Sequence, residues 1–158
     1  MLFLDSSALA KLYLDEYGSG VVHGAVKRAA GALFLSDYVA LEVLTTLRVG
    51  FRSASQHEYR EKVNGFWADF PRKYNVVEVS PAIRNAAMQL TTNARAARAR
   101  SLDVLHLATA LELQSTFGGA EVTMVTSDQD LADLCREFGL RTFDPSREPL
   151  AALPRAQR

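Results

Sequence analysis

The sequence predicts an α/β fold in which helices cover a mainly parallel sheet of about five short strands. Short segments of three or four mostly apolar or β-prone residues, too short for helices, read as strands at Leu2–Asp5, Leu33–Leu35, Val76–Val79, Val122–Val125 and Leu140–Phe143. Between them lie stretches with apolar residues at helical spacing. Strand and helix alternate along the chain, which is the pattern of parallel strands joined by crossover connections.

The elements follow in order. Leu2, Phe3 and Leu4 form an apolar run that stops at Asp5. Ser6 or Ser7 can cap a helix running to about Tyr17 and stopped by Gly18 and Gly20. A second helix, about Val21–Ala30, ends at Gly31, and Leu33–Leu35 is the second strand. Ser36 or Asp37 is placed to cap a third helix, about Tyr38–Arg52, built on Val39, Leu41, Val43, Leu44 and Leu47. Ser53–Ser55 breaks it. A fourth helix carries Tyr59, Val63, Phe66 and Phe70, with Pro71 as its expected end, and Val76–Val79 follows as a strand. Pro81 suits the first turn of a fifth helix with Ile83, Ala87 and Leu90, which runs out in the Ala/Arg-rich stretch 94–100. Ser101 opens a sixth helix through Leu102, Leu105, Leu107, Ala108 and Leu111, ended by Gly118 and Gly119. After Val122–Val125, Ser127 or Asp128 caps a helix to Phe138; Gly139 ends it, and Leu140–Phe143 is the last strand. Pro145, Pro149 and Pro154 predict an extended or disordered tail. The chain has no internal repeat and no linker, so the expectation is one domain over 1–144 with a Pro-rich tail over 145–158.

With 158 residues, 48% of them hydrophobic, the chain can bury a real core. Its formal net charge is zero, which argues against strong non-specific attraction to nucleic acid but allows a local basic surface. Such a surface is visible: from Val79 to Leu102 there is no acid, but there are Arg84, Arg95, Arg98 and Arg100. The one cysteine, Cys135, cannot form an internal disulfide, and the N-terminus reads neither as a signal peptide nor as a membrane span. A cytoplasmic protein with no membrane partner is expected.

Four acids stand out. Asp5 and Asp128 each follow an apolar strand and open a helix, Glu42 interrupts the apolar run Val39–Leu44, and Asp103 lies in the first turn of the sixth helix. Each has an ordinary alternative: a helix cap for Asp5 and Asp128, a solvated stripe for Glu42, a favourable helix-dipole position for Asp103. Together they suggest more. The carboxyl ends of strands in open α/β sheets are where ligands bind. Converging carboxylates repel one another unless a cation is present, and Mg²⁺ or Mn²⁺ prefers such oxygen ligands.

His106, three residues after Asp103, shares its helical face; it reads first as a satisfied core histidine and second as a neighbour of a ligand. Gly18-Ser19-Gly20 follows a helix rather than a strand and reads as a helix break, not a dinucleotide loop. Arg95, Arg98 and Arg100 form a candidate strip for RNA or a protein partner, because they directly precede Asp103.

The segments LFLDSSALAKLY, LEVLTTLR, SLDVLHLATALEL and MVTSDQDLADL resemble, in order, the four motif regions of the PIN domain. The resemblance covers about Leu2 to Asp144 and is closest to the VapC-type ribonuclease toxins of toxin–antitoxin pairs. It implies a PIN-like α/β/α sandwich. The family's four acids match Asp5, Glu42, Asp103 and Asp128, which would hold one or two divalent ions, and its hydroxyl residue before the fourth acid matches Thr126, with Ser127 beside it. It further implies metal-dependent cleavage of RNA, homodimerisation, and inhibition by an antitoxin whose tail occupies the acidic groove.

Two other readings stay open. A phosphatase with Asp5 as nucleophile is disfavoured, because a second acid is wanted two residues on and Ser7 stands there. A non-catalytic module would bind RNA or protein in the same groove without cutting.

Overall fold

The computed structural model describes residues 1–29, 31–53 and 55–154. The expected helix end at Ala30, the middle of the break at Ala54 and the last four tail residues lie outside these. The strands are β1 (Leu2–Leu4), β2 (Leu33–Ser36), β3 (Asn75–Val77), β4 (Thr123–Val125) and β5 (Arg141–Phe143). The helices are α1 (Ser6–Leu9), α2 (Ser19–Arg28), α3 (Val39–Gly50), α4 (Gln56–Lys73), α5 (Pro81–Thr91), α6 (Ser101–Thr116) and α7 (Gln129–Glu137).

The sheet order is β3-β2-β1-β4-β5 and all four pairs are parallel. Alternation along each strand sorts the core into two layers. Leu2, Leu4, Leu33, Leu35, Val125 and Phe143 pack with the buried residues of α1 to α4. Phe3, Phe34 and Met124 point the other way, onto α5, α6 and α7. The central strand β1 is covered on both faces, which is why Leu2–Leu4 reads as an unbroken apolar run, whereas the edge strands β3 and β5 carry exposed residues. The result is the expected α/β/α sandwich. The chain winds from β1 outward to β3, then returns to lay β4 against the free side of β1. That reversal makes the gap between β1 and β4 the topological switch point, where the carboxyl ends leave a crevice.

Several boundaries differ from those read in the sequence. The first helix does not reach Tyr17: α1 ends at Leu9 and a 3₁₀ turn covers Ala10–Leu12. Ser19 explains the loop that follows, since its hydroxyl donates to Leu14 O and accepts from Glu16 N, both at 3.0 Å. Pro71 does not end α4, which continues to Lys73. Its missing N–H forgoes one bond of the ladder, and only Arg72 and Lys73 follow before the helix ends. β3 begins one residue early because Asn75 Nδ2 donates to Gly31 O and Leu33 O, both at 3.0 Å, and pins the strand to the edge of β2.

The tail is not extended over its described part. A 3₁₀ turn spans Leu150–Ala152, Leu153 is buried in the core of the first layer, and Arg28 Nη1 donates to the carbonyls of Leu150 at 2.8 Å and Leu153 at 3.2 Å. Two apolar residues three apart anchor a segment whose composition alone suggests disorder. Among the described residues no helix is long and apolar enough to cross a membrane.

Candidate active site at the carboxyl ends of the strands

Asp5 leaves β1 at the switch point. Its backbone N–H donates to Val125 O at 3.2 Å, and its Oδ1 accepts from Ala8 N at 3.0 Å and from Ser7 Oγ at 2.9 Å. Asp5 is therefore itself the N-cap of α1, in place of the expected Ser6 or Ser7. Asp128 does the same for α7, with Oδ1 accepting from Asp130 N at 2.9 Å and Leu131 N at 3.3 Å. In both acids the cap uses Oδ1 and not Oδ2.

Glu42 and Asp103 arrive from the two helical layers. Glu42 lies in the first turn of α3, and its Oε2 is 2.6 Å from His106 Nε2. Asp103 lies in the first turn of α6, and its Oδ2 accepts from the Arg100 backbone N–H at 3.0 Å and from Arg100 Nε at 3.2 Å. Arg100 also extends Nη2 to Asp128 Oδ2, so one guanidinium bridges two of the acids. The four acids, Ser7, Arg100 and His106 line one open groove of about 530 Å³.

Burial sets the electrostatics. Asp5 is 3% exposed and Asp103 is 6% exposed. Burial pushes the Asp5 carboxyl above its ordinary value, against the lowering effects of the Ala8 N–H, His106 and the hydroxyls of Ser7 and Thr126. Thr126 is fully buried beneath the groove. Its Oγ1 accepts from Asp128 N at 2.9 Å and lies 3.3 Å from Ser7 Oγ, so it shapes the turn that aims Asp128.

The arginine strip divides. Arg100 reaches the acids, whereas Arg95 and Arg98 line a separate groove against α7, where Arg95 Nη1 donates to Glu137 O at 3.3 Å. Neither of those two lines the groove of the acids.

Two side chains read in the sequence only as helix caps, Ser7 and Ser36, bond to residues of the groove instead. Ser7 links the two switch-point loops, donating to Asp5 and accepting from Ser127 N at 2.8 Å. Ser36 and Asp37, read as caps for α3, do other work: Ser36 Oγ is 3.1 Å from His106 Nδ1, and Asp37 Oδ1 accepts from Val79 N at 3.3 Å. His106 is 1% exposed, with a partner on each ring nitrogen. It is both the satisfied core histidine and a neighbour of the site.

A hard divalent cation suits this donor set, which is all carboxylate oxygen. Arg100 already occupies part of it as a positive charge. Among the described residues no three His, Cys, Asp or Glu side chains are grouped tightly enough to cage an ion as they stand.

Solved structures share the fold at low identity. FitAcB from Neisseria gonorrhoeae superposes with a TM-score of 0.69 at 11% identity, over 94% of this chain and 100% of that one. VapC20 from Mycobacterium tuberculosis, described as a sarcin-ricin loop cleaving toxin, gives 0.63 at 15% identity over 89% and 96%. FitAB bound to a DNA fragment gives 0.65 at 11% identity over 94% and 97%. No curated protein matches significantly in sequence. The family model described as PIN domain matches residues 2–137, from β1 to the end of α7 and so across all four acids, and the chain belongs to the PIN domain family.

Proposed function

We propose that the protein is a Mg²⁺- or Mn²⁺-dependent endoribonuclease acting as the toxin of a toxin–antitoxin pair. The observation that carries this is the convergence of Asp5, Glu42, Asp103 and Asp128, from four different elements, on one groove at the switch point. A divalent ion in that groove supplies a water of lowered pKa and offsets charge at a phosphodiester. Asp5 and Asp103, the two most buried acids, are its primary ligands, and Glu42 and Asp128 complete the site directly or through water. Thr126 and Ser7 hold the Asp5 and Asp128 loops at a fixed spacing. Arg100, 67% exposed and at the rim, is free to turn from the acids to a phosphate of the substrate. Arg95 and Arg98 then offer a strip for RNA or for the antitoxin away from the cutting point. VapC20, with the same fold, is described as cleaving the sarcin-ricin loop, which supports RNA as the substrate. A homodimer in the cytoplasm, neutralised by a co-encoded antitoxin, completes this reading.

The deciding experiment compares RNA cleavage by the parent and by Asp5→Asn, in Mg²⁺ and in a chelator. Cleavage should vanish in the variant and in the chelator; full activity in either would sink the proposal. The second reading, binding without cutting, draws on the Arg100 bridge across Asp103 and Asp128. It predicts RNA retention by the parent with no cleavage and no divalent-ion dependence.

A further inference from the structure

Among the described residues, the His106 ring is the sole hydrogen-bond partner of the Glu42 carboxylate, at 2.6 Å. The ring is enclosed on all sides that the structure describes. It is 1% exposed, it meets the ring of Phe3 edge-on with centroids 6.3 Å apart, and Ser36 Oγ sits 3.1 Å from its other nitrogen. Ser36 is itself fully buried at the end of β2. A carboxylate accepts and cannot donate, so Nε2 carries the proton toward Glu42. The Ser36 hydroxyl rotates to match whatever Nδ1 requires.

The connectivity gives this bond a purpose. Glu42 belongs to the helical layer on one face of the sheet and Asp103 to the layer on the other. His106 lies one turn along α6 from Asp103, so the same helix that positions Asp103 also holds Glu42. Because Oε2 is engaged, Oε1 is left for the groove. We propose that His106, braced by Ser36, is a positioning residue that holds the Glu42 carboxylate in place for a divalent ion. The inference rests on the metal-dependent reading above and extends it to two residues outside the four acids. Partners of ligand carboxylates typically change metal affinity by about 10- to 100-fold when removed.

Mn²⁺ binding, followed by calorimetry or by electron paramagnetic resonance of the free ion, tests this without any nuclease assay. His106→Leu should weaken Mn²⁺ binding by about 10-fold or more. His106→Gln, whose amide N–H can reach Glu42 from the Nε2 position, should stay close to the parent. Glu42→Gln should lose at least as much as His106→Leu, and the double variant should be no worse than Glu42→Gln alone, because His106 acts only through Glu42. Kinetics should show the loss in the Mn²⁺ concentration needed for activity more than in kcat at saturating Mn²⁺. If His106→Leu fails to fold, Ser36→Ala carries the test, since it removes one hydroxyl from the brace; several-fold weaker Mn²⁺ binding supports the role and unchanged binding overturns it. Parent-like binding in a folded His106→Leu, or losses that add in the double variant, would overturn this inference and leave the nuclease reading standing. A parent that binds no Mn²⁺ would overturn both.

Discussion

Leu4 and Val125 face each other in register across the β1–β4 pair, so the residues after them, Asp5 and Thr126 to Asp128, leave the sheet side by side. Two acids separated by more than a hundred residues thus open onto one groove, each at the start of a helix. Ser7 fastens the two turns together through Asp5 Oδ1 and Ser127 N. The crevice comes from topology, while its acidity comes from which residues stop the strands.

Asp5→Asn should trade activity for stability. The carboxyl is buried and pushed above its ordinary value by burial, so the folded chain carries a cost for keeping it ionised. Asparagine caps a helix as well as aspartate does and can still accept from Ala8 N. We expect loss of RNA cleavage together with a gain in stability on the order of 1 kcal/mol at neutral pH, read by thermal or urea melting. The pH dependence has a definite sign. A raised folded value means the folded chain binds its proton first as pH falls, which favours folding. The advantage of the variant should therefore be full at neutral pH, shrink as pH falls through the raised value, and vanish below the ordinary 3.8.

Arg100→Ala should tighten the binding of Mn²⁺ and weaken that of RNA. The guanidinium engages Oδ2 of both Asp103 and Asp128, so an incoming ion would compete with it for these oxygens. Removing it frees both carboxylates, and the Arg100 side chain is too exposed for its loss to cost the fold much. Several-fold tighter Mn²⁺ binding by calorimetry, with a higher KM for RNA, is the expected pair. Weaker Mn²⁺ binding would mean that Arg100 organises the acids rather than competing for them.

Cys135 should be silent toward thiol reagents in the native protein. It is fully buried, and burial, with the charges of Asp5 and Asp103, pushes its thiol up to about 12. Labelling should proceed only through unfolding, so its rate should follow urea concentration and match the unfolding rate measured by circular dichroism. Linkage adds a second readout. Below the ordinary 9.0 the thiol is neutral in both states and contributes nothing. Between 9.0 and about 12 only the unfolded chain releases the proton, so stability should fall with rising pH across that window. Cys135→Ala should lose that part of the alkaline slope.

How much of this was legible in the sequence depends on the range of each contact. Asp5 and Asp128 were visible because an apolar run that ends at an acid is a local pattern, and Glu42 because it interrupts a helical apolar stripe. The two-layer core was legible too, since Leu2 and Leu4 alternate with Phe3. The Ser36–His106 and Ser7–Ser127 bonds were not, because they join residues 70 and 120 positions apart and depend on the strand order. The place of Arg95 and Arg98 was not legible for a related reason: nearness in sequence to Asp103 became a separate groove once the 3₁₀ turn at Ala94–Ala96 packed against α7. The docking of Leu153 was masked by three prolines in a composition typical of loose tails.

The docked tail also crowds the loop at Gly18. Gly18 has φ +92°, and a Cβ there would lie 2.5 Å from the backbone oxygen of Pro145. Gly139 has a similar φ, +81°, but a Cβ there would meet nothing within 4 Å. Both pay the left-handed penalty on substitution, about 1 kcal/mol. Only Gly18→Ala must also push the backbone of the tail away. Gly18→Ala should therefore cost clearly more than Gly139→Ala, by roughly 1–3 kcal/mol in urea melts. Leu153→Ala, which empties a buried position beneath the same segment, should cost about 2–5 kcal/mol. If Gly18→Ala and Gly139→Ala lose equally, and Leu153→Ala melts like the parent, the stretch after Asp144 is a passive appendage. If they differ as expected, the tail is part of the folded unit and braces the loop between α1 and α2, one turn beyond the α1 helix that Asp5 caps.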